Sequence, residues 1–252
     1  MTAIGSALYK LLCMDRGWYL VFGRDIITGW YAAYADEHPG PFKVLDLGCG
    51  TCADLLSMKE TVHSTVMYGA DSYDEKKYDD SQTAIDHGVT LYRIDIEHER
   101  IPVEDGFFDV VVSNQTFEHM KDIFWVTSEA SRVVKKGGMV IVGVPNLAAL
   151  HNRIWLLMGE QPSAIEILGP HIRGYTAPGF KRYIEKDGFF KVVDVKGSAF
   201  WPFPIRVSQF MSMMFPRWST SIFFMMVRTP KEGTFIEVLE EMPCQTGYYK
   251  GK

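Results

Sequence analysis

The residues with the clearest chemical potential gather around a short glycine loop. Gly48-Cys49-Gly50-Thr51-Cys52-Ala53 fits G-x-G-x-x-G/A and follows the apolar run Val44-Leu45-Asp46-Leu47. Glycines in such a loop let the backbone turn tightly and approach a ligand closely. Nicotinamide and flavin nucleotide folds share that pattern. Asp46 narrows it. A carboxylate two residues before the first glycine repels a pyrophosphate approaching the helix N-terminus, and it suits a ligand carrying an ammonium and a sulfonium group. Asp71 closes the next apolar run, Val66-Met67-Tyr68-Gly69-Ala70, and with Ser72 beside it suits the hydroxyls of a ribose. Asp95 ends the third run, where it can accept from an adenine amino group while Ile96 covers the ring. A helix-capping aspartate is the alternative reading of Asp95.

Proton transfer points to a second group of residues. Histidine changes charge near neutral pH, so His119, His151 and His171 are candidates. His171 lies in the loop Gly169-Pro170-His171-Ile172-Arg173-Gly174, long enough to hang over the edge of a sheet, and is the preferred general base. His119 is the second catalytic candidate; His151 and Arg173 are read as contacts to a substrate, Arg173 for an anionic group. The plainer readings are hydrogen-bonded structural histidines and a surface ion pair. Cys49-x-x-Cys52 has redox spacing but sits inside the glycine loop without a partner pair, and no metal site is expected. Tyr73-x-x-x-Lys77 resembles a dehydrogenase pair but comes too early in the chain for one.

The elements that must position these residues follow from apolar periodicity. Short apolar runs at 43–47, 66–70, 89–94, 108–113 and 139–144 alternate with helical segments near 52–60, 81–87, 118–134 and 176–187. That alternation predicts βαβ units and a parallel sheet covered on both faces. Phe190 to Val195 and Ser221 to Arg228 read as an antiparallel pair at one sheet edge. The expected fold is α/β, a Rossmann-like doubly wound sheet of seven strands, with N-terminal helices and a lid-like insertion. The expected units are a helical cap over 1–40, a main domain over 41–228 with insertions at 147–175 and 200–218, and a tail over 229–252. Phe235 to Met242 is a short candidate helix in that tail.

Bulk properties bound the function. The 252 residues are 47% hydrophobic, enough for a full core. A net charge of −5 and the lack of a basic run argue against a nucleic-acid surface. Four cysteines do not suggest a disulfide framework, so a reduced, cytoplasmic setting is expected. Neither a signal peptide nor a membrane-spanning run is read from the sequence. The Trp-, Phe- and Met-rich segment 200–218 is read as a packed lid helix, or else as a peripheral membrane contact, a surface for a lipid-linked acceptor, or a homodimer face.

Together the motifs resemble the class I S-adenosylmethionine-dependent methyltransferase superfamily. Phe107 to Met120, containing Ser113-Asn114-Gln115-Thr116-Phe117-Glu118-His119, is similar to the fourth-strand motif of the branch with ubiquinone- and methionine-biosynthesis enzymes; Arg132 to Val142 is similar to its turn into strand five. Asn152 to Gly159, Pro170 to Arg173 and Phe180 to Phe189 more loosely resemble enzymes of glycan pathways. The resemblance implies a seven-stranded sheet with strand seven antiparallel. It also implies S-adenosyl-L-methionine as methyl donor, with S-adenosyl-L-homocysteine as product. It places Asp46, Gly48 and Gly50 around the methionine part, Asp71 on the ribose, Asp95 and Ile96 on the adenine, and Asn114 near the methyl group. Cys52 departs from the commoner small or polar residue in the loop. The strand-four motif lacks the Asn/Asp-Pro-Pro-aromatic pattern that accompanies planar nitrogen targets. That absence leaves oxygen, carbon, amine and sulfur acceptors open; O-methylation of a small-molecule or saccharide acceptor is the leading expectation. A nucleotide-dependent oxidoreductase or epimerase, and a non-catalytic cofactor-binding subunit, are the alternatives.

Overall fold

Side chains alternate across a strand, so a sheet covered on both faces needs apolar residues on each. The central strands supply them. In the computed structural model, which describes residues 18–38, 40–72 and 82–237, Val44, Val110, Val112, Met139 and Ile141 are buried on one face of the sheet. Leu45, Leu47, Val111, Val140 and Val142 are buried on the other. The strands are β1 (Phe42–Leu47), β2 (Thr65–Asp71), β3 (Thr90–Arg93), β4 (Phe108–Asn114), β5 (Val134–Pro145), β6 (Phe190–Ser198) and β7 (Ser221–Arg228). Their order in the sheet is β3-β2-β1-β4-β5-β7-β6. The first five are parallel; β7 runs antiparallel to β5 and β6, as the last two apolar runs predicted.

The helices among the described residues are α1 (Trp18–Glu37), α2 (Ala53–Thr61), α3 (Gln82–Asp86), α4 (Ile123–Val133), α5 (Leu150–Leu157), α6 (Ala177–Ile184) and α7 (Ile205–Met214). Two aromatic residues of α1, Trp30 and Tyr31, pack on the sheet. Trp30 and Tyr31 are buried, with Trp30 Nε1 donating to Asp194 at 3.0 Å and the Tyr31 hydroxyl 2.6 Å from Thr65 Oγ1. Tyr9, Cys13, Tyr73 to Lys77, Cys244 and the later part of the Phe235–Met242 helix lie outside the described residues.

One boundary differs from the sequence reading in a way that matters. Periodicity predicts a helix over 118–134, yet α4 begins at Ile123, where the Asp122 carboxylate caps it by accepting from Trp125 N at 3.0 Å. Gln115 instead continues the β4–β5 pairing, its N–H donating to Gly143 O at 2.8 Å, and takes a left-handed φ of 56°. That conformation ends the strand in a sharp turn. Phe117–His119 then form one 3₁₀ turn, leaving Glu118 and His119 outside the longer helix.

The insertions both leave the carboxyl edge of the sheet, since Pro145, Ser198 and Ser221 meet there in register. In α7 the buried side is Ser208 and Ser212, while Phe210, Met213 and Met214 point outward, Met213 being 80% exposed. The apolar face expected for this helix therefore exists and is turned away from the core. The start of the expected tail is not loose. Phe235 is fully buried, within ring-contact distance of Phe124, Tyr183, Phe189 and Phe190.

Burial of that ring predicts that Phe235→Ala costs about 3 kcal/mol or more, because the lost transfer energy adds to an unfilled cavity. Urea unfolding measures it. A loss within experimental scatter of zero would mean that residues 229–237 do not stabilise the domain.

Candidate functional site

Asp46 sits one residue from the end of β1 with 3% exposure. No described residue donates a hydrogen bond to its carboxylate. Burial pushes its pKa well up, and the nearby Asp54, Cys52 and Asp71 add to that, against an opposing pull from Arg24. The glycine loop begins two residues on. Gly48 N and Cys49 N donate to Ala70 O at 2.8 and 3.4 Å, which ties the loop to β2. Gly48 has φ +73°, and a Cβ there would lie 2.3 Å from Thr116 Cγ2, so the loop can rest against the exit of β4 only with glycine at this position. Gly50 N donates to Asp71 Oδ2 at 2.9 Å, which fixes the acid of the second strand against the loop. Asp71 is buried; Ser72 follows it and is exposed. Cys52, the residue that departs from the usual loop, holds a left-handed φ of 60° at the start of α2 and is fully buried.

Two residues that the sequence reading missed complete this corner. Arg24 Nε of α1 donates to Asp54 Oδ1 at 2.8 Å, and Asn114 Nδ2 donates to Asp54 Oδ2 at 2.8 Å. The carboxylate of Asp54, in the first turn of α2, thus orients the Asn114 amide. Asn114 Oδ1 is left buried without a partner. An acid in the first turn of the helix after a glycine loop was a readable signal for Asp54. Nothing in the sequence marked Arg24, since only packing brings α1 alongside α2.

Asp95 follows β3 and spends both carboxylate oxygens locally: Oδ1 accepts from Glu97 N at 3.0 Å and Oδ2 from His98 Nδ1 at 2.8 Å. His98 N and Glu99 N also close a turn on the Asp95 carbonyl. These contacts close a local turn rather than cap a helix, none beginning there among the described residues, and the His98 hydrogen bond lowers the Asp95 pKa. Ile96 is buried in the core on the α4 side of the sheet.

The exit of β4 carries a third group. Backbone bonds staple the loop around His171 to the turn around Glu118. Ile172 N and Arg173 N both donate to Glu118 O, at 2.9 and 3.1 Å. The Tyr175 hydroxyl donates to Phe117 O at 3.0 Å, and Arg173 donates from Nε to Met120 O and from Nη2 to Lys121 O. Arg173, expected to meet an anionic substrate, is thus a clamp between two chain segments. The staple brings His119 and His171 together, with ring centroids 4.8 Å apart. His119 Nδ1 donates to Pro170 O and His171 Nδ1 to Ala164 O, each at 3.1 Å. Glu118 lies beside them, its side chain buried and both oxygens without a hydrogen-bond partner; burial pushes its pKa up to about 8. Burial also lowers the His171 pKa, with the neighbouring His119 adding to the effect. Glu118 was not singled out from the sequence. Its significance depends on His171, 53 positions away.

His151 behaves differently from its expectation as a substrate contact. It is buried on α5, with Nε2 3.1 Å from Ser163 Oγ and its ring 5.5 Å from that of Trp201. Its polar atom serves packing between α5 and the following loop.

Comparison with known proteins now bears on this geometry. Residues 45–142 match the methyltransferase domain family, a span that covers the end of β1, the glycine loop, β4 and most of β5. A probable S-adenosylmethionine-dependent methyltransferase of Mycolicibacterium smegmatis is 37% identical over 161 residues, 61% of this chain and 54% of that protein. Over this region the chain resembles S-adenosylmethionine-dependent methyltransferases. A ubiquinone biosynthesis O-methyltransferase of Rhizobium etli is 28% identical over 128 residues, 50% of this chain and 47% of that one. The chain thus spans about half the length of these curated relatives. The fold agrees with that of a solved methyltransferase from Aquifex aeolicus, at a TM-score of 0.55 and 14% identity, over 88% of this chain and 97% of that one.

The methyl donor of such methyltransferases is S-adenosylmethionine, and the corner described above fits it. Asp46 is a buried carboxylate lacking a hydrogen-bonding cation, and Gly50 at φ +49° leaves open space where a side chain would stand. An ammonium group suits the first and a closely approaching ligand the second. Helix α5 carries a pH signature. Burial lowers the His151 pKa to about 4, below its unfolded value near 6.5. The folded state thus binds fewer protons between those values, and stability is full above about pH 6.5 and lost as pH falls toward 4. The shift corresponds to roughly 3 kcal/mol. Denaturant unfolding of the native chain and His151→Gln at pH 7 and pH 4.5 should show a smaller acid loss in the variant. Equal losses would mean that His151 is not a buried neutral imidazole.

Proposed function

We propose that this chain is a methyltransferase that transfers the methyl group of S-adenosylmethionine to an oxygen of a small-molecule or saccharide acceptor. The observation that carries the reading is the acid-lined glycine loop: Asp46 buried with no hydrogen-bond donor among the described residues, Gly48 seated on Thr116, and Gly50 tied to Asp71. In this reading Asp46, Gly48 and Gly50 hold the methionine part. Asp71 and Ser72 hold the ribose, Ile96 and Asp95 border the adenine, and Asn114, oriented by Asp54, faces the methyl group. The same negative corner disfavours a pyrophosphate, which weighs against the oxidoreductase alternative.

The donor is already activated, so the chain's task is alignment and exclusion of water. The acceptor oxygen bonds to the methyl carbon in line with the departing sulfur, which keeps the C–S electron pair, and the hydroxyl proton must leave. In this reading His171 and His119, whose rings lie close together beside the buried Glu118, take up that proton. The acceptor reaches them from the carboxyl edge, where α5, the 158–172 loop and α7 expose Leu157, Leu168, Phe210 and Met213. These suit an acceptor with an apolar portion. Among the described residues no helix is long and apolar enough to cross a membrane.

Calorimetric titration tests the donor assignment. S-adenosylhomocysteine should bind and NAD should not. Asp46→Ala and Asp71→Ala should each weaken homocysteine-form binding by about 10- to 100-fold, the loss expected for one charged hydrogen bond. Unchanged binding in both variants, or clear NAD binding without S-adenosylhomocysteine binding, would overturn the reading.

A further inference from the structure

A buried carboxylate with neither oxygen hydrogen-bonded is costly and calls for a cause. Glu118 is such a group. It is fully buried, both oxygens lack a partner, and it lies next to two imidazoles rather than a fixed cation. The Glu118 carbonyl is held by Ile172 N and Arg173 N, which ties the backbone of its turn to the loop that carries His171.

The two imidazoles are prepared in a matching way. A carbonyl oxygen can only accept, so the contacts to Pro170 O and Ala164 O place the hydrogen of each ring on Nδ1. In the neutral rings that leaves the lone pair on Nε2. Metal-binding histidines show this arrangement, in which the remote ring nitrogen donates to a backbone carbonyl or carboxylate and the near one faces the ion. One ligand atom from each of Glu118, His119 and His171 lies within 4.8 Å of the others, and the Glu118 Oε1 to His119 Nε2 distance is 4.0 Å. Ligands around a tetrahedral ion bonded at about 2.0–2.2 Å stand roughly 3.4 Å apart, so closure requires a shift of about 1 Å. His171 is half-buried, and a small rotation of its side chain would supply that shift.

We propose that Glu118, His119 and His171 form a binding site for a divalent transition-metal ion of the zinc type. Two imidazole nitrogens and one carboxylate oxygen suit such an ion, and three protein ligands leave a fourth position open. The sequence reading expected no metal, because the ligands are separated in the chain and share no ligand-spacing motif. The site lies past the β4 exit, beyond Asn114, and its open position would take an acceptor hydroxyl and promote loss of its proton. That last role rests on the methyl-transfer reading; the metal site itself does not.

The test uses the full chain after dialysis against a chelator, titrated with zinc chloride in a calorimeter and with cobalt(II) chloride in a spectrophotometer. The expected results are one zinc ion per chain and visible cobalt absorption of the intensity given by a four- or five-coordinate site. Glu118→Gln, which keeps shape, and His171→Ala should each weaken zinc binding at least tenfold, while S-adenosylhomocysteine binding by the same variants stays intact. No zinc binding by the native chain would overturn the proposal. So would a cobalt spectrum no stronger than that of the hydrated ion, or zinc affinity unchanged in the Glu118→Gln/His171→Ala double variant. Loss of homocysteine-form binding in the native chain would instead count against the proposed function and leave the metal result to be read by itself.

Discussion

Everything in the candidate site depends on the parallel pairing of β1 with β4. Val44, Leu45 and Asp46 register with Val110, Val111 and Val112. At this pair the strand order reverses, with β2 and β3 on one side and β5, β7 and β6 on the other. The connections on the two sides leave in opposite directions, so a crevice opens at the carboxyl ends of the central strands. The loop from β1 and the turn from β4 share that crevice. Their contact is close enough that a methyl group on residue 48 would collide with Thr116.

The crevice concentrates negative charge. Burial, with Asp54 and Asp71 close by, raises the cost of ionising Asp46, and Arg24 partly relieves it. Such an arrangement is unfavourable for the isolated fold and becomes favourable when a cationic ligand occupies it. The same logic recurs at the β4 exit, where Glu118 is buried beside His119 and His171. Both places hold acids that the fold alone does not compensate. One is proposed to take the donor and the other a metal ion.

Much of the framework was legible because local patterns and tertiary demands agreed. The apolar runs become strands within a residue or two at β1, β2, β4 and β7, because a parallel sheet buried on both faces leaves few alternatives for a run of Val, Leu and Ile. Asp46 and Asp71 were legible for a related reason. A strand's last residues fall at the sheet's carboxyl edge whatever the loops do. Helix 118–134 was misplaced at its start because Gln115 extends the strand pairing and Asp122 supplies the cap five residues later. The apolar side of α7 was read correctly as a face, yet its outward direction depends on Ser208 and Ser212 fitting against the core.

The sequence by itself determined the sheet, the glycine loop and the acids at its strand ends, because these depend on spacing within single βα units. Only the tertiary structure decided which distant groups meet. It joined Arg24 to Asp54 and Asn114, sent His151 into packing, turned Arg173 into a clamp, and set His171 beside Glu118 and His119. The physical reason is that such pairs are made by backbone hydrogen bonds between loops and by helix docking, whose partners leave no periodic trace in the chain.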